Sequence, residues 1–174
     1  MESWIQTFTG RKLFPLDPDP DALDVRDIAH ALSLHCRFNG HCRVFYSVAE
    51  HSVRVSRQLT DADALWGLLH DASEAYLSDV PKPLKKDLPE YQGAEKHLMR
   101  VIAERFGLTW PIPNAVHEAD MVLLMTERRD LVGEPVDDWG IDAAPLTERI
   151  EPLSPLDAEE AFLARYAELA SPST

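Results

Sequence analysis

The sequence predicts an all-α domain with a short N-terminal β-hairpin, and three observations lead there. Apolar residues recur at i, i+3 and i+4 in one stretch after another between Asp24 and Ala170, the spacing of one helix face. The one hairpin-like pattern, apolar clusters on either side of a polar turn at Thr9-Gly10, is confined to residues 4–15. A length of 174 residues, 45% of them hydrophobic, suffices for a single core without staples. Residues 1–174 are therefore read as one domain, with a β appendage over 1–20 and an acidic C-terminal segment over 134–174 that ends in a helix.

The hairpin contributes Trp4, Ile5, Phe8, Leu13 and Phe14. It is too short to form a stable sheet alone, so it is expected to pack on the helical body or on a second subunit. A Pro/Asp-rich turn follows, and Asp24 to Leu34 reads as a first helix with Val25, Ile28, Ala29, Leu32 and Cys36 inward. Asn39-Gly40 breaks that helix into a loop reaching Tyr46. Ser47 is a natural N-cap, and Glu50 three residues later completes a capping box, which gives Glu50 a structural role. The second helix carries Val48, His51, Val55 and Leu59 on one face.

A third helix, from about Asp61, carries Leu65, Trp66 and Leu69 and continues into His70, Asp71 and Glu74. From Leu77 to Pro89, Pro81, Pro83 and Pro89 alternate with Lys82, Lys85 and Lys86; this segment is too broken for a helix and reads as a lid or substrate loop. Helices resume over Tyr91–Phe106, with Leu98, Ile102 and Phe106 inward and Gly107 as C-cap. The next runs over Asn114–Val132, with Val116, Asp120, Leu123 and Leu124 on one face. Residues 135–155 are loop-rich, and a final helix over Pro155–Ala170 packs Ala161, Phe162 and Tyr166.

Composition limits the function. No apolar run approaches membrane-spanning length, and the start of the chain lacks the basic and apolar parts of a signal peptide, so a cytoplasmic protein is expected. Cys36 and Cys42 suit a reducing compartment, where a structural disulfide is not expected. The order His35-Cys36 and His41-Cys42 does not have the spacing of a zinc knuckle or finger. Net charge is −13, and from Glu134 onward ten acidic residues face two basic ones. Such a balance disfavours duplex nucleic acid or an anionic membrane as partner, while a small anionic substrate remains open to a pocket lined by a metal and local cations.

Three helical stripes of Val and Leu each carry polar residues that should not face a core: His51, then His70 with Asp71, then Asp120. Buried ionisable groups are costly unless paired or bound to metal, so the four read as convergent ligands. Two imidazoles and two carboxylates suit a borderline divalent transition ion such as Zn, Mn, Co, Ni or Fe. Glu74, one turn beyond His70, could position or deprotonate a water; the competing reading is a solvated helix charge. His30 and His35 read as structural and His97 as a surface residue. His117 reads either as a hydrogen-bond partner of a ligand or as surface, and His41 as a loop residue close to Arg37 that could touch substrate.

The order His51, His70-Asp71, Asp120 resembles the H…HD…D pattern of the HD-domain phosphohydrolases. The words Ala49-Glu50-His51-Ser52, His70-Asp71-Ala72-Ser73-Glu74 and Asp79-Val80-Pro81 with Pro83 are similar to the branch holding bacterial 5′-deoxynucleotidases and small phage dNTP and dATP triphosphohydrolases. The resemblance spans roughly Asp27 to Asp130. It implies an HD-domain helical bundle, a metal-dependent hydrolase of deoxynucleotide phosphate esters or anhydrides, and a homodimer or higher homo-oligomer. It also implies that Asp79 is a second acidic partner, protonating a leaving oxygen or holding a further ion such as Mg. Arg37 and Phe38 would bind nucleotide, with Arg43 as a rival, and Lys85 would bind phosphate, leaving Lys82 and Lys86 solvated. The rival of another class is a non-catalytic nucleotide-binding regulatory HD module. Monophosphate or triphosphate preference, base, sugar and native metal are not legible.

Overall fold

The computed structural model describes residues 3–134 and 136–170, the side chain of Asp61 excepted. Met1, Glu2, Pro135 and residues 171–174, which belong to the expected appendage and C-terminal segment, lie outside the described residues. β1 (Ile5–Gln6) and β2 (Lys12–Leu13) pair antiparallel, Ile5 opposite Leu13. Gly10, at φ 82°, makes the left-handed turn between them. The hairpin is tied to the body through Asp27, which accepts from Thr9 N–H at 2.6 Å and Thr9 Oγ1 at 2.9 Å. Leu13 is fully buried in the core, whereas Trp4, Ile5 and Phe8 stay exposed.

α1 (Val25–Leu34) begins where Asp24 accepts from Arg26 N–H, an N-cap that satisfies one otherwise orphaned donor. α2 (Val48–Arg57) begins at Ser47, whose hydroxyl accepts from Glu50 N–H at 3.1 Å. The expected capping box is only half made. The Glu50 carboxylate instead takes Arg54 at 2.7 Å and the backbone N–H of Leu153 at 2.8 Å, pinning the C-terminal segment to α2.

α3 (Asp61–Leu69) returns antiparallel to α2 after a short connection. A Cβ on Gly67 would lie 2.5 Å from Leu59 Cδ1 and 2.9 Å from Ser56 Cα, so the two backbones meet closely there. Contrary to the continuous helix expected through Glu74, α3 stops at Leu69 and α4 (Glu74–Leu77) starts after a turn. The cause is a run of short-range bonds, Ala72 N–H to Leu69 O, Glu74 N–H to Asp71 O and Ala75 N–H to Ala72 O, which tighten the chain as a 3₁₀ turn does.

The segment expected to hold no helix contains one turn of it, α5 (Lys82–Lys85). Pro81 caps it and Pro83 lies in its first turn, where a missing N–H costs nothing. α6 (Pro89–Arg105) starts two residues earlier than expected for the same reason, with Pro89 in its first turn. It ends at left-handed Gly107, where Leu108 N–H reaches Ala103 O and Gly107 N–H reaches Glu104 O.

α7 (Asn114–Leu131) and α8 (Pro155–Ala170) complete the chain. α8 packs against α1, α2 and α3, and the core gathers Trp66, Leu68, Leu69, Leu98, Leu123 and Phe162. The acidic segment before α8 is held by Asp130, which accepts from Arg129, Arg149 and Ile150 N–H, while Arg129 also donates to Leu146 O. Among the described residues no helix is long and apolar enough to cross a membrane.

Candidate metal centre

His51 sits mid-α2, a helix buried along most of its length, so its imidazole has no solvent to satisfy it. Its Nδ1 lies 2.6 Å from Oε1 of Glu127, an α7 residue with no solvent exposure. That carboxylate fixes the Nδ1–H tautomer and turns Nε2 inward. His70, at the C-cap of α3, is oriented in a parallel way: Nδ1 donates to Gly67 O at 2.7 Å, leaving Nε2 free. The two Nε2 atoms stand 3.3 Å apart, and Asp120 Oδ1 lies 3.3 Å from that of His51.

His51, His70 and Asp120 thus present donor atoms all within 4.8 Å of one another, a group that could hold a metal ion. The chemistry of the set fits a cation. Each imidazole has committed its Nδ1–H to an oxygen, so once the Nε2 of His51 gives up its proton two lone pairs and a carboxylate face the same point.

Asp71 adjoins this group. Its Oδ2 is 3.3 Å from His70 Nε2, 3.7 Å from His51 Nε2 and 3.6 Å from Arg37 Nη1. Arg37, on the loop before α2, also donates through Nε and Nη2 to Glu127 Oε2 at 3.1 Å. Glu127 therefore uses one oxygen on His51 and the other on Arg37. Burial alone would raise this carboxyl, but the Arg37 and His51 charges outweigh it and hold it below the usual value.

The other groups respond similarly. Burial and Arg37 oppose a proton on His51, yet Glu127 and Asp120 prevail and carry its pKa up to about 9. Burial would raise Asp120, but the His51 hydrogen bond and the His51, His70 and Arg37 charges keep it ionised well below the ordinary range. Glu74 goes the other way. It is buried, 6% exposed, and burial together with the Asp71 and Asp79 charges pushes its carboxyl well above its usual value. A solvated helix charge is therefore not what Glu74 is, and its Oε2 has no hydrogen-bond partner among the described residues.

A cavity of about 390 Å³ opens on the group and is lined by His70, Asp71 and Asp120 on one side. Lys82, Lys85 and Lys96 line it as well, as do Met99, Trp110 and Ile112. Lys85 is held by Glu95 at 2.6 Å. Lys82 and Lys86 are both exposed, and Lys82 also shares this lining. His117, one turn before Asp120, also faces the cavity, whereas His41, His97 and Arg43 are exposed and not in its lining.

Arg37, Phe38, Glu74 and Asp79 do not line that cavity. Arg37 is engaged by Glu127 and Asp71, and the Phe38 ring faces Trp139 with centroids 6.3 Å apart. Asp79 is half-buried and acts electrostatically on Glu74 and His35. Glu127 was not legible as a site residue, although it lies seven residues after Asp120 on the same helix face.

No protein-family model matches the chain, so the resemblance drawn above rests on the motif residues. The chain is 39% identical over 170 residues to the uncharacterized protein YfdR of Escherichia coli K12, covering 96% of each. An uncharacterized protein of Rhodobacter capsulatus is 34% identical over 145 residues, 75% of this chain and 74% of that one. At that identity and coverage, the chain belongs to the family that contains Escherichia coli YfdR.

Proposed function

We propose that this protein is a metal-dependent phosphohydrolase of deoxynucleotides that cleaves a phosphate ester or anhydride at the 5′ position. The observation that carries the reading is the His51, His70 and Asp120 donor group opening on a cavity with lysines along its wall. Asp71 would supply a fourth donor from beside both imidazoles. A bound divalent transition ion, Zn, Mn, Co, Ni or Fe, would supply Lewis acidity toward a phosphoryl oxygen and an acidified water.

The chain's own residues account for the rest. Glu127 and Gly67 O hold the two imidazoles in the tautomer that points Nε2 inward. Lys82, Lys85 and Lys96 offset the negative charge of phosphates within an acidic protein. Met99, Trp110 and Ile112 give an apolar wall against which a base can rest. Glu74 is buried and does not line the cavity, so in this reading it acts on the water at the centre rather than on the phosphate.

The test is release of inorganic phosphate, pyrophosphate or triphosphate from a panel of deoxynucleoside mono- and triphosphates, with the protein loaded in turn with each ion. Turnover of at least one deoxynucleotide, lost in His70→Ala, is expected. Nucleotide binding without release under every loading would overturn the catalytic reading in favour of a regulatory nucleotide-binding module.

A further inference from the structure

The loop between α1 and α2 carries two cysteines whose geometry the metal centre does not use. Cys36 Sγ and Cys42 Sγ stand 3.5 Å apart, both as free, half-buried thiols. The backbone is fixed on both sides of the pair. Cys36 bridges to Ser47, and Arg37 N–H donates to Tyr46 O at 2.9 Å. On the far side, Arg43 N–H donates to Leu131 O at 2.8 Å. Between the cysteines, Phe38, Asn39 and Gly40 have φ of 56°, 53° and 79°, so three successive left-handed residues fold the chain back on itself. Such a run is rare outside glycine and needs its ends held. A covalent S–S bond, near 2.05 Å, asks the sulfurs to close by about 1.5 Å.

We propose that Cys36 and Cys42 form a reversible oxidisable dithiol site, taking a low-molecular-weight disulfide as oxidant and closing the loop that bears Arg37 and Phe38. The first step is attack of the Cys36 thiolate on the external disulfide, making a mixed disulfide and releasing one small thiolate. Cys42 then gives its proton to that thiolate and attacks the Cys36 sulfur, expelling the second small thiolate, which takes up the proton that Cys36 had released to water. Two protein thiols become one disulfide, and one external disulfide becomes two thiols.

The order follows from the surroundings of Cys42. Burial and the neighbouring Cys36 push its thiol up to about 11, so it stays protonated, and it donates to Arg37 O at 3.6 Å. Cys42 is thus the resolving partner. The loop it closes holds Arg37, whose guanidinium reaches Glu127 and Asp71 beside the metal centre. The bridge is therefore a latch on the segment that supports that centre, and it needs no catalytic activity to be detected.

The experiment uses the reduced full-length chain in mixtures of reduced and oxidised glutathione at neutral pH, followed by alkylation and mass spectrometry of intact protein and peptides. Both thiols should disappear together, with a mass loss of about 2 Da for the two hydrogens, no lasting glutathione adduct, and full reversal by dithiothreitol. Cys42→Ser should stop at a glutathione adduct on Cys36, and Cys36→Ser should leave Cys42 unmodified. In the oxidised wild type, amide exchange across residues 37–41 should slow. Free thiols persisting in excess oxidised glutathione, a stable adduct in the wild type, or an intermolecular bridge would each overturn the site. Unchanged amide exchange after complete oxidation would overturn the latch.

Discussion

Glu127 Oε1 lies 2.6 Å from Nδ1 of His51, and its other oxygen accepts from Arg37 at 3.1 Å, with Glu127 and His51 both shut off from solvent. One carboxylate therefore orients an imidazole of the candidate metal centre and neutralises a buried guanidinium.

Glu127→Gln keeps the shape and an oxygen for His51 but removes the charge. Affinity for a divalent ion should fall by about 10- to 100-fold, the usual cost of losing a partner behind a ligand. Glu127→Ala should in addition lower stability by about 3–5 kcal/mol, because Arg37 would stay buried with only Asp71 beside it. Metal titration and denaturant unfolding separate the two effects. Unchanged affinity in Glu127→Gln would show that the charge behind His51 is irrelevant to binding.

The same pair makes metal binding depend on pH. In the metal-free protein the His51 pKa is raised to about 9, so an incoming ion must displace its proton. Affinity should rise with pH, by up to about tenfold per unit, and level off above pH 9. Calorimetry in buffers of different ionisation enthalpy should register proton release at pH 7. The sign for stability is opposite. The contribution of the imidazolium is fully present below its ordinary value near 6.5 and lost as pH climbs through about 9. An affinity that does not change between pH 7 and pH 9 would contradict a protonated His51.

How much of this was legible depended on whether a residue broke a pattern. His51 and Asp120 stood out because each interrupts an apolar helical stripe, and His70 because it continues one. Glu127 breaks the α7 stripe as well, four residues after Leu123, but it opens the run Glu127-Arg128-Arg129-Asp130 and so looks like part of a solvated charge cluster. The turn at 70–73 had no signal at all, since neither Gly nor Pro lies there. It is made by i to i+3 hydrogen bonds. The α5 turn was hidden by its prolines, which read as breakers although a first-turn proline is compatible with a helix. Arg37 was legible as a cation near the site; that a buried glutamate from a distant helix engages it was not.

Gly67 links packing to the centre. A methyl group there would meet Leu59 and the backbone of Ser56 at under 3 Å, and the carbonyl of Gly67 orients His70. Gly67→Ala should therefore force α3 away from α2, lowering stability by about 1–3 kcal/mol, as overpacking does. Metal affinity should fall with it, because His70 and His51 ride on the two helices being separated. A variant that unfolds at the wild-type denaturant midpoint would mean that the helices part without cost.

Glu74 joins a cost in stability to a role in turnover. Its carboxyl is buried, one oxygen has no partner among the described residues, and burial with the charges of Asp71 and Asp79 raises its pKa well above the ordinary value. A raised carboxyl loses stability as pH climbs above the unfolded value near 4.5, since the unfolded chain ionises while the folded one holds its proton. Glu74→Gln supplies a neutral side chain of the same shape and removes that loss. The metal-free variant should melt at the same temperature as the wild type at acid pH and at a higher temperature at pH 8. Under the phosphohydrolase reading, turnover should fall by at least roughly 10²-fold, the scale of general acid–base catalysis, with bound metal retained. A variant no more stable than the wild type at pH 8 would show that the folded protein ionises Glu74 there, and retained turnover would remove it from proton transfer.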